Sequence, residues 1–494
     1  MPCDRRTFFA TAGALAALAC ARGTAWAAPG GQLSGRVMQA DLDLLLRAYT
    51  AVHPGLTRYL PAGGFAARVA EAERWAAPGR SLAEVYVALS RLTAAVRCGH
   101  SHVNPFNQSR AVRDSLLGGR DRMPFAFRWI EGRMIVTGPR GGENLLPPGT
   151  EVRTVEGVPA PELLRAMLCL ARADGSNDAK RVAQLGVQAR DRYAAFDVFR
   201  PLLFPAGATD TVHVSVVPPG GSERQLDLPA LSEAGIADQQ REQAREPGWT
   251  FALDPSGVGV LTMPDWVTYR SKWDWQGYLD GVLDRLIDER ARGLVIDLRG
   301  NEGGTECGWR ILDRLIARDI ALPRYIYRTR YRTLPAELAA PLETWDPSFR
   351  DWGVAATGPD EDGFYRLQRA ADTAGVLTPR GRRFGGPVAV LVDASCSSAT
   401  FQFALAVKQN GLATLIGEPT GGNRRGINGG AYFFIRLPET GLEVDLPIIG
   451  SFPPEPQPDA GVVPDVPVVL EMADIARGKD QAMAAALARM GASG

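Results

Sequence analysis

The stretch GLVIDLRGNEGG, residues 293–304, decides the fold. Its first half is a continuous apolar run without the polar alternation of a strand that has one wet face. Such a run fits a strand buried on both sides, as in a parallel sheet covered by helices. The glycine-rich turn that follows exposes backbone N–H groups beside a helix start, an arrangement that stabilises negative charge. Working outward, the same grammar repeats. GVGVLTM (257–263), GPVAVLVD (386–393) and ATLIGEP (413–419) read as strands. DWQGYLDGVLDRLIDERA (274–291), ECGWRILDRLIA (306–317) and SATFQFALAVKQNG (398–411) read as helices, the last closed by Gly411. Residues 250–470 are therefore expected to form an α/β layered core. Between Leu322 and Phe384 lies a polar, Arg-rich insertion with little periodicity, read as a lid or specificity loop.

Upstream, residues 33–115 carry apolar residues at helical spacing, punctuated by Pro54-Gly55 and Pro78-Gly79. From 120 to 230 the period changes. PFAFRWIEGRMIVTG (124–138) reads as a hairpin, Glu156-Gly157 as a tight turn, and TDTVHVSVVPPGG (209–221) as an alternating strand. This order resembles a PDZ-like peptide-binding domain, interrupted by a helical stretch near 165–203. Such a domain takes an extended chain onto a sheet edge. An ordinary small α+β domain is the plainer reading. Residues 471–494 hold a last helix, DQAMAAALARM.

Residues 1–27 look like an address. Arg5 and Arg6 precede Phe8 and Phe9, an Ala/Leu-rich run follows, and Ala25-Trp26-Ala27 fits a small-x-small cleavage site. The run is too short to anchor in a bilayer. The segment resembles a twin-arginine export signal, so a periplasmic protein without a stable membrane span is expected. Lipid anchoring at Cys20 is the weaker alternative, because Ala17 stands where a bulky residue is preferred. Formal net charge is zero, from 55 basic and 55 acidic residues, and no basic block occurs. That argues against a nucleic-acid partner.

Candidate proton acceptors are few. Among the bases, the chain has four Lys and four His: Lys180, Lys272, Lys408 and Lys479, and His53, His100, His102 and His213. Ser397 and Ser398 stand where a buried strand gives way to a helix, in VLVDASCSSATFQFA (390–404). A serine there is placed for attack, although serine is also a preferred helix cap.

Four ordered stretches carry a more specific resemblance: GLVIDLRGNEGG, VLVDASCSSATFQFALAVKQ (390–409), LIGEPTGGN (415–423) and GVVPDVPV (461–468). With RCGHSHV (97–103) upstream, the chain resembles serine peptidases of the C-terminal-processing and tricorn-core type. Relatives of interphotoreceptor retinoid-binding protein belong to the same group. The resemblance covers most of residues 33–470. It implies a crotonase-like core, a peptide or protein substrate, and neither a metal nor an organic cofactor. The family pattern Ser-Ala-x-Glu-x-Phe-Ala places the nucleophile at Ser398, with Phe401 where the family has Glu. Asn423 stands where one branch has its Lys base, and an amide cannot take a proton at useful pH. Lys408 lies about 15 Å further along the helix of Ser398. The tricorn-like branch supplies a His instead, so His100 is the implied base and His102 its rival. Its orienting acid would be Asp459, with Glu455 or Asp465 in reserve. Gly303 or Gly304, with Ala399, would supply oxyanion N–H groups. A metal-binding His-x-His pair, an inactive peptide- or apolar-ligand-binding relative, and an acyl esterase remain alternatives. No Gly-x-Ser-x-Gly elbow surrounds Ser398, against the esterase. Cys98, Cys307 and Cys396 flank these motifs; a Cys98 clamp to Cys396 or Cys307 and free buried thiols are both open.

Overall fold

The structure, a computed structural model, describes residues 32–140, 142–205, 210–237, 248–269, 271–368 and 375–491. The export signal read at 1–27 lies outside the described residues. The N-terminal region is helical: α1 Gly35–Val52, α2 Gly64–Ala76, α3 Leu82–Ala95 and α4 Arg110–Leu117. A capping box fixes the start of α3. Ser81 Oγ accepts the Glu84 N–H, and the Glu84 carboxylate accepts the Ser81 N–H. Every residue from Val85 to Ala94 is buried. At its far end Arg97 adopts a left-handed φ of 58°, which turns the chain toward Cys98, Gly99 and His100.

Next comes an antiparallel sheet of strands β1 Phe125–Ile130, β2 Arg133–Pro139, β3 Glu151–Val155, β4 Thr211–Val217 and β5 Arg224–Pro229, in that spatial order. Glu131-Gly132 and Glu156-Gly157 both take positive φ, the geometry of tight hairpin turns. Helices α5 Ala160–Met167, α6 Asp178–Gln184 and α7 Ala195–Leu203 fall between β3 and β4.

The second layer system holds β6 Thr250–Leu253, β7 Val258–Thr262, β8 Gly293–Asp297, β9 Val388–Val392 and β10 Thr414–Gly417. Two further strands, β11 Tyr432–Arg436 and β12 Glu443–Pro447, form a hairpin, and β13 Val466–Pro467 returns to the sheet. Its order is β13-β10-β9-β8-β7-β6, all neighbours parallel except the edge pair β6–β7. Both β8 and β9 are buried throughout, as their apolar runs require. Leu294, Ile296, Val390 and Val392 face helices α8 Trp275–Asp288, α9 Gly308–Leu312 and α10 Ser398–Asn410. Val295, Ala389 and Leu391 face α11 Gln481–Gly491 through Ala482, Ala486 and Met490.

The helix expected over 306–317 is only five residues long. The carbonyls of Asp313 and Arg314 accept the N–H groups of Arg380 and Phe384, so the backbone leaves the helical ladder for tertiary partners. The insertion holds short strands and turns; Ile326–Thr329 lies between Tyr365–Leu367 and Gly450–Phe452 in a small antiparallel sheet.

The N-terminal helices share one core with the β1–β5 sheet and with the β11–β12 hairpin. Asp445 on β12 ties them polarly, accepting from Asn104 Nδ2 and Asn107 Nδ2 at 2.8 Å each. Residues near 100 are thereby carried across to the α/β core. Among the described residues, no helix is long and apolar enough to cross a membrane.

Candidate active site

Parallel strands β8 and β9 end side by side, with Asp297 opposite Leu391. Their outgoing loops therefore meet at the carboxyl edge of the sheet, where α/β folds hold their ligands. Asn301 welds the two loops. Its Nδ2 donates to Met263 O at 2.7 Å, and its Oδ1 accepts from Gly303 N and Thr400 Oγ1 at 2.8 Å each. Asp393 adds a second tie, accepting the N–H groups of Gly300 and Ser395. Backbones approach so closely that a Cβ on Gly303 would lie 2.7 Å from Ser397 O and 2.8 Å from Ala399 N.

Ser398 opens α10 with φ 53°, a conformation costing a non-glycine residue about 1–3 kcal/mol. Such strain at a strand-to-helix turn holds a side chain out from the backbone. His100 Nε2 lies 3.2 Å from Ser398 Oγ. The two residues are 298 positions apart in the chain. Ser397 points elsewhere, its Oγ donating to Glu302 O at 3.3 Å.

Burial lowers the pKa of His100 below 6.5; Asp174 works against that shift and Arg172 with it. His100 Nδ1 is buried without a hydrogen-bond partner among the described residues. The carboxylate beside the ring belongs to Asp174, one of whose oxygens lies within 4.8 Å of a His100 nitrogen. Asp174 also accepts the Gly99 N–H at 2.9 Å. A Cβ on Gly99 would lie 2.8 Å from Asp174 Oδ2, so the contact needs glycine there. Cys98 Sγ completes a three-donor group with these two residues. Burial raises the Cys98 thiol pKa, and Asn428 Nδ2 donates to the sulfur at 3.3 Å. A protonated thiol is a poor metal ligand.

Asp459, expected to orient the histidine, binds Asn423 Nδ2 at 2.7 Å and the Ser176 N–H at 2.9 Å instead. Asn423 Nδ2 also donates to Asp174 O at 3.2 Å. Asn423 and Asp459 thus brace the loop that presents Asp174, rather than the imidazole. Asp465 pairs with Lys408 on the outer end of α10. Glu455 is exposed, and its side chain makes no hydrogen bond or ion pair among the described residues.

His102 is held away from the serine. Its carbonyl accepts the Asp445 N–H at 2.9 Å, and its Nδ1 sits 3.8 Å from that carboxylate. His53 is buried against Ser101 Oγ at 3.0 Å, and His213 is exposed beside Asp227. Phe401 is fully buried, packed so tightly that a Cβ on Gly422 would overlap its ring.

The amide of Gly303 is engaged by Asn301, whereas those of Gly304 and Ala399 make no hydrogen bond among the described residues. Beside them Glu302 bridges Lys180 Nζ at 2.6 Å and Arg172 at 3.2 Å. Burial opposes its ionisation, yet the two cations hold its pKa down at about 2. Cys98, Cys169, Cys307 and Cys396 are all free thiols, which corrects the disulfide clamp. Cys396 shows why: its Sγ points to Leu298 O, 3.1 Å away inside the core.

Asp174, Asn301 and Thr400 were not found from sequence. Asp174 has no motif around it, and Asn301 gave a faint sign only, as the polar residue inside the glycine turn.

Residues 257–468 match the model of peptidase family S41. No curated protein matches the chain. Among solved structures, a CPAF variant with a serine replaced by alanine is similar at 14% identity and a TM-score of 0.61. The match covers 90% of this chain and 94% of that one. Mature CPAF complexed with lactacystin is similar at 14% identity and a TM-score of 0.59, over 90% of this chain and 95% of that one. At these identities the likeness shows a shared fold.

Proposed function

We propose that this chain is a serine-type peptidase of family S41, whose model residues 257–468 match, and that it cuts peptide bonds with Ser398 as nucleophile and His100 as general base. The observation that carries the reading is the 3.2 Å approach of His100 Nε2 to Ser398 Oγ. In the first step His100 takes the hydroxyl proton while Oγ attacks the scissile carbonyl. A histidine with lowered pKa stays neutral, and so remains a base, to lower pH. Asp174 stabilises the imidazolium that forms. The amides of Ala399 and Gly304 receive the oxyanion, each worth about 3 kcal/mol in the transition state. His100 then returns the proton to the leaving amine.

The β1–β5 sheet is read as a PDZ-like module that takes an extended chain on its edge. Export by the twin-arginine route to the periplasm rests on residues 1–27 alone.

A fluorophosphonate probe tests the site. Covalent labelling of the wild-type protein, lost in Ser398→Ala and kept in Ser397→Ala, is the expected result. An unlabelled, folded wild type would mean that the serine is not activated.

A further inference from the structure

A row of aromatic rings leads outward from His100. The His100 ring lies 6.2 Å from that of Tyr432, and Tyr432 lies 5.8 Å from Trp345. Tyr432 and Phe434 occupy alternate positions of β11, while Phe433 between them and Ile435 after them are in the core. The outer face of a strand with one wet side ordinarily carries polar residues. Here it carries two half-buried aromatics with stacked, near-parallel rings 8° apart. Trp345, from the Arg-rich insertion, packs against both of them and against Phe349 at 5.5 Å. With three aromatic supports it is still 56% exposed.

Buttressing that fixes an indole while leaving its surface in water suits a ring waiting for a partner. Arg436 pairs with Glu343 at 3.2 Å, and Asp346 accepts the Ser348 N–H. An aromatic side chain can stack on or edge against these rings; a cation over the same faces is the rival that a Lys scan tests. Two ring-to-ring steps lead from His100 to Trp345, a reach of at most roughly three to four residues of extended chain.

We propose that Trp345, Tyr432 and Phe434 form a specificity subsite that takes an aromatic side chain of the substrate peptide. The subsite lies a few residues from the bond presented to Ser398. This deepens the peptidase reading and rests on it for the position of the scissile bond.

The test measures binding, so that it does not depend on cleavage. In the Ser398→Ala protein, a fluorescein-labelled decapeptide of Ala and Ser is scanned with one Phe moved through every position. One position, or two neighbours, should tighten binding roughly tenfold over the parent peptide. A Lys scan should give no such optimum. Adding Trp345→Ala should flatten the Phe optimum, and Trp345→Phe should retain it, at unchanged melting temperature. Equal affinity across the Phe scan, or an optimum that survives Trp345→Ala, overturns the subsite. Digestion of the same peptides by the Ser398 enzyme reads the other question. Flat binding with intact cleavage removes the shelf alone. A binding optimum without cleavage leaves the shelf standing and removes the peptidase site.

Discussion

Replacing Asp174 by Asn removes one charge and little shape. The amide oxygen can still accept the Gly99 N–H that Asp174 holds at 2.9 Å, so the loop carrying His100 stays anchored. What is lost is the carboxylate within 4.8 Å of the ring. At that distance and an effective dielectric of about 20, two unit charges interact by about 3.5 kcal/mol. Arg172 is present in both proteins and drops out of the difference, while solvent reaching the half-buried His100 screens the loss to about 2–3 kcal/mol. In the proposed mechanism the reaction passes through a protonated His100, so turnover on the pH plateau should fall roughly 30- to 150-fold. The pH profile carries the second signature. Burial already lowers the His100 pKa below 6.5, and Asp174 raises it again in part. Without Asp174 the pKa drops further, so the acid limb of kcat should move to lower pH as the plateau falls. A merely structural lesion would lower the plateau and leave the limb in place. The assay is a kcat profile from pH 4 to 8 on one cleaved peptide, for wild type, Asp174→Asn and Asp459→Asn. A plateau within about threefold of wild type with an unmoved limb would refute the argument. A larger loss in Asp459→Asn than in Asp174→Asn would return the orienting role to Asp459.

The remaining predictions are shorter. Ser398→Ala should lose about three or more orders of magnitude in peptide turnover, as nucleophile loss does elsewhere. Ser397→Ala should lose less than tenfold, because its hydroxyl only touches the Glu302 carbonyl; the reverse order would shift the nucleophile by one residue. Replacing Arg5 and Arg6 together by Lys should leave the chain in the cytoplasm on cell fractionation, and undiminished export would disprove the twin-arginine reading.

Local chemistry explains what was legible. The apolar runs of β8 and β9 can be satisfied only by burial on both faces, and each is followed at once by its functional turn. Sequence neighbours thus remain spatial neighbours, and Ser398 can be found from the register of one helix. Asp174 is different. Its place beside His100 arises when the loop at 172–175 docks on the loop at 97–100, through Gly175 N to Arg97 O at 2.9 Å and Asp174 to Gly99 N. No spacing or periodicity records that docking. The motif pattern favours His100 over His102, but it does not carry the physical basis of that choice. The choice is made by a backbone pairing with Asp445, some 340 residues downstream, which draws His102 onto the hairpin and leaves His100 at the serine.

Asn423 shows how a residue can serve the site without reaching the imidazole. Its amide carries no basic nitrogen, yet it is fully buried and its Nδ2 donates on both sides, to Asp459 and to the Asp174 carbonyl. Its contribution is therefore to the shape of the loop that carries the second carboxylate. Gly175 reinforces the point. It has φ 61°, and a Cβ there would lie 2.2 Å from Asn423 Nδ2 and 2.3 Å from Asp459 Oδ1. Any side chain at 175 must push this pair apart and carry the Asp174 backbone with it. The Asn423–Asp459 pair and the His100–Asp174 pair are thus mechanically linked through one glycine. An acid that never touches the imidazole can still govern its orientation, and for that reason a modest loss of activity in Asp459→Asn is compatible with Asp174 as the residue beside the ring.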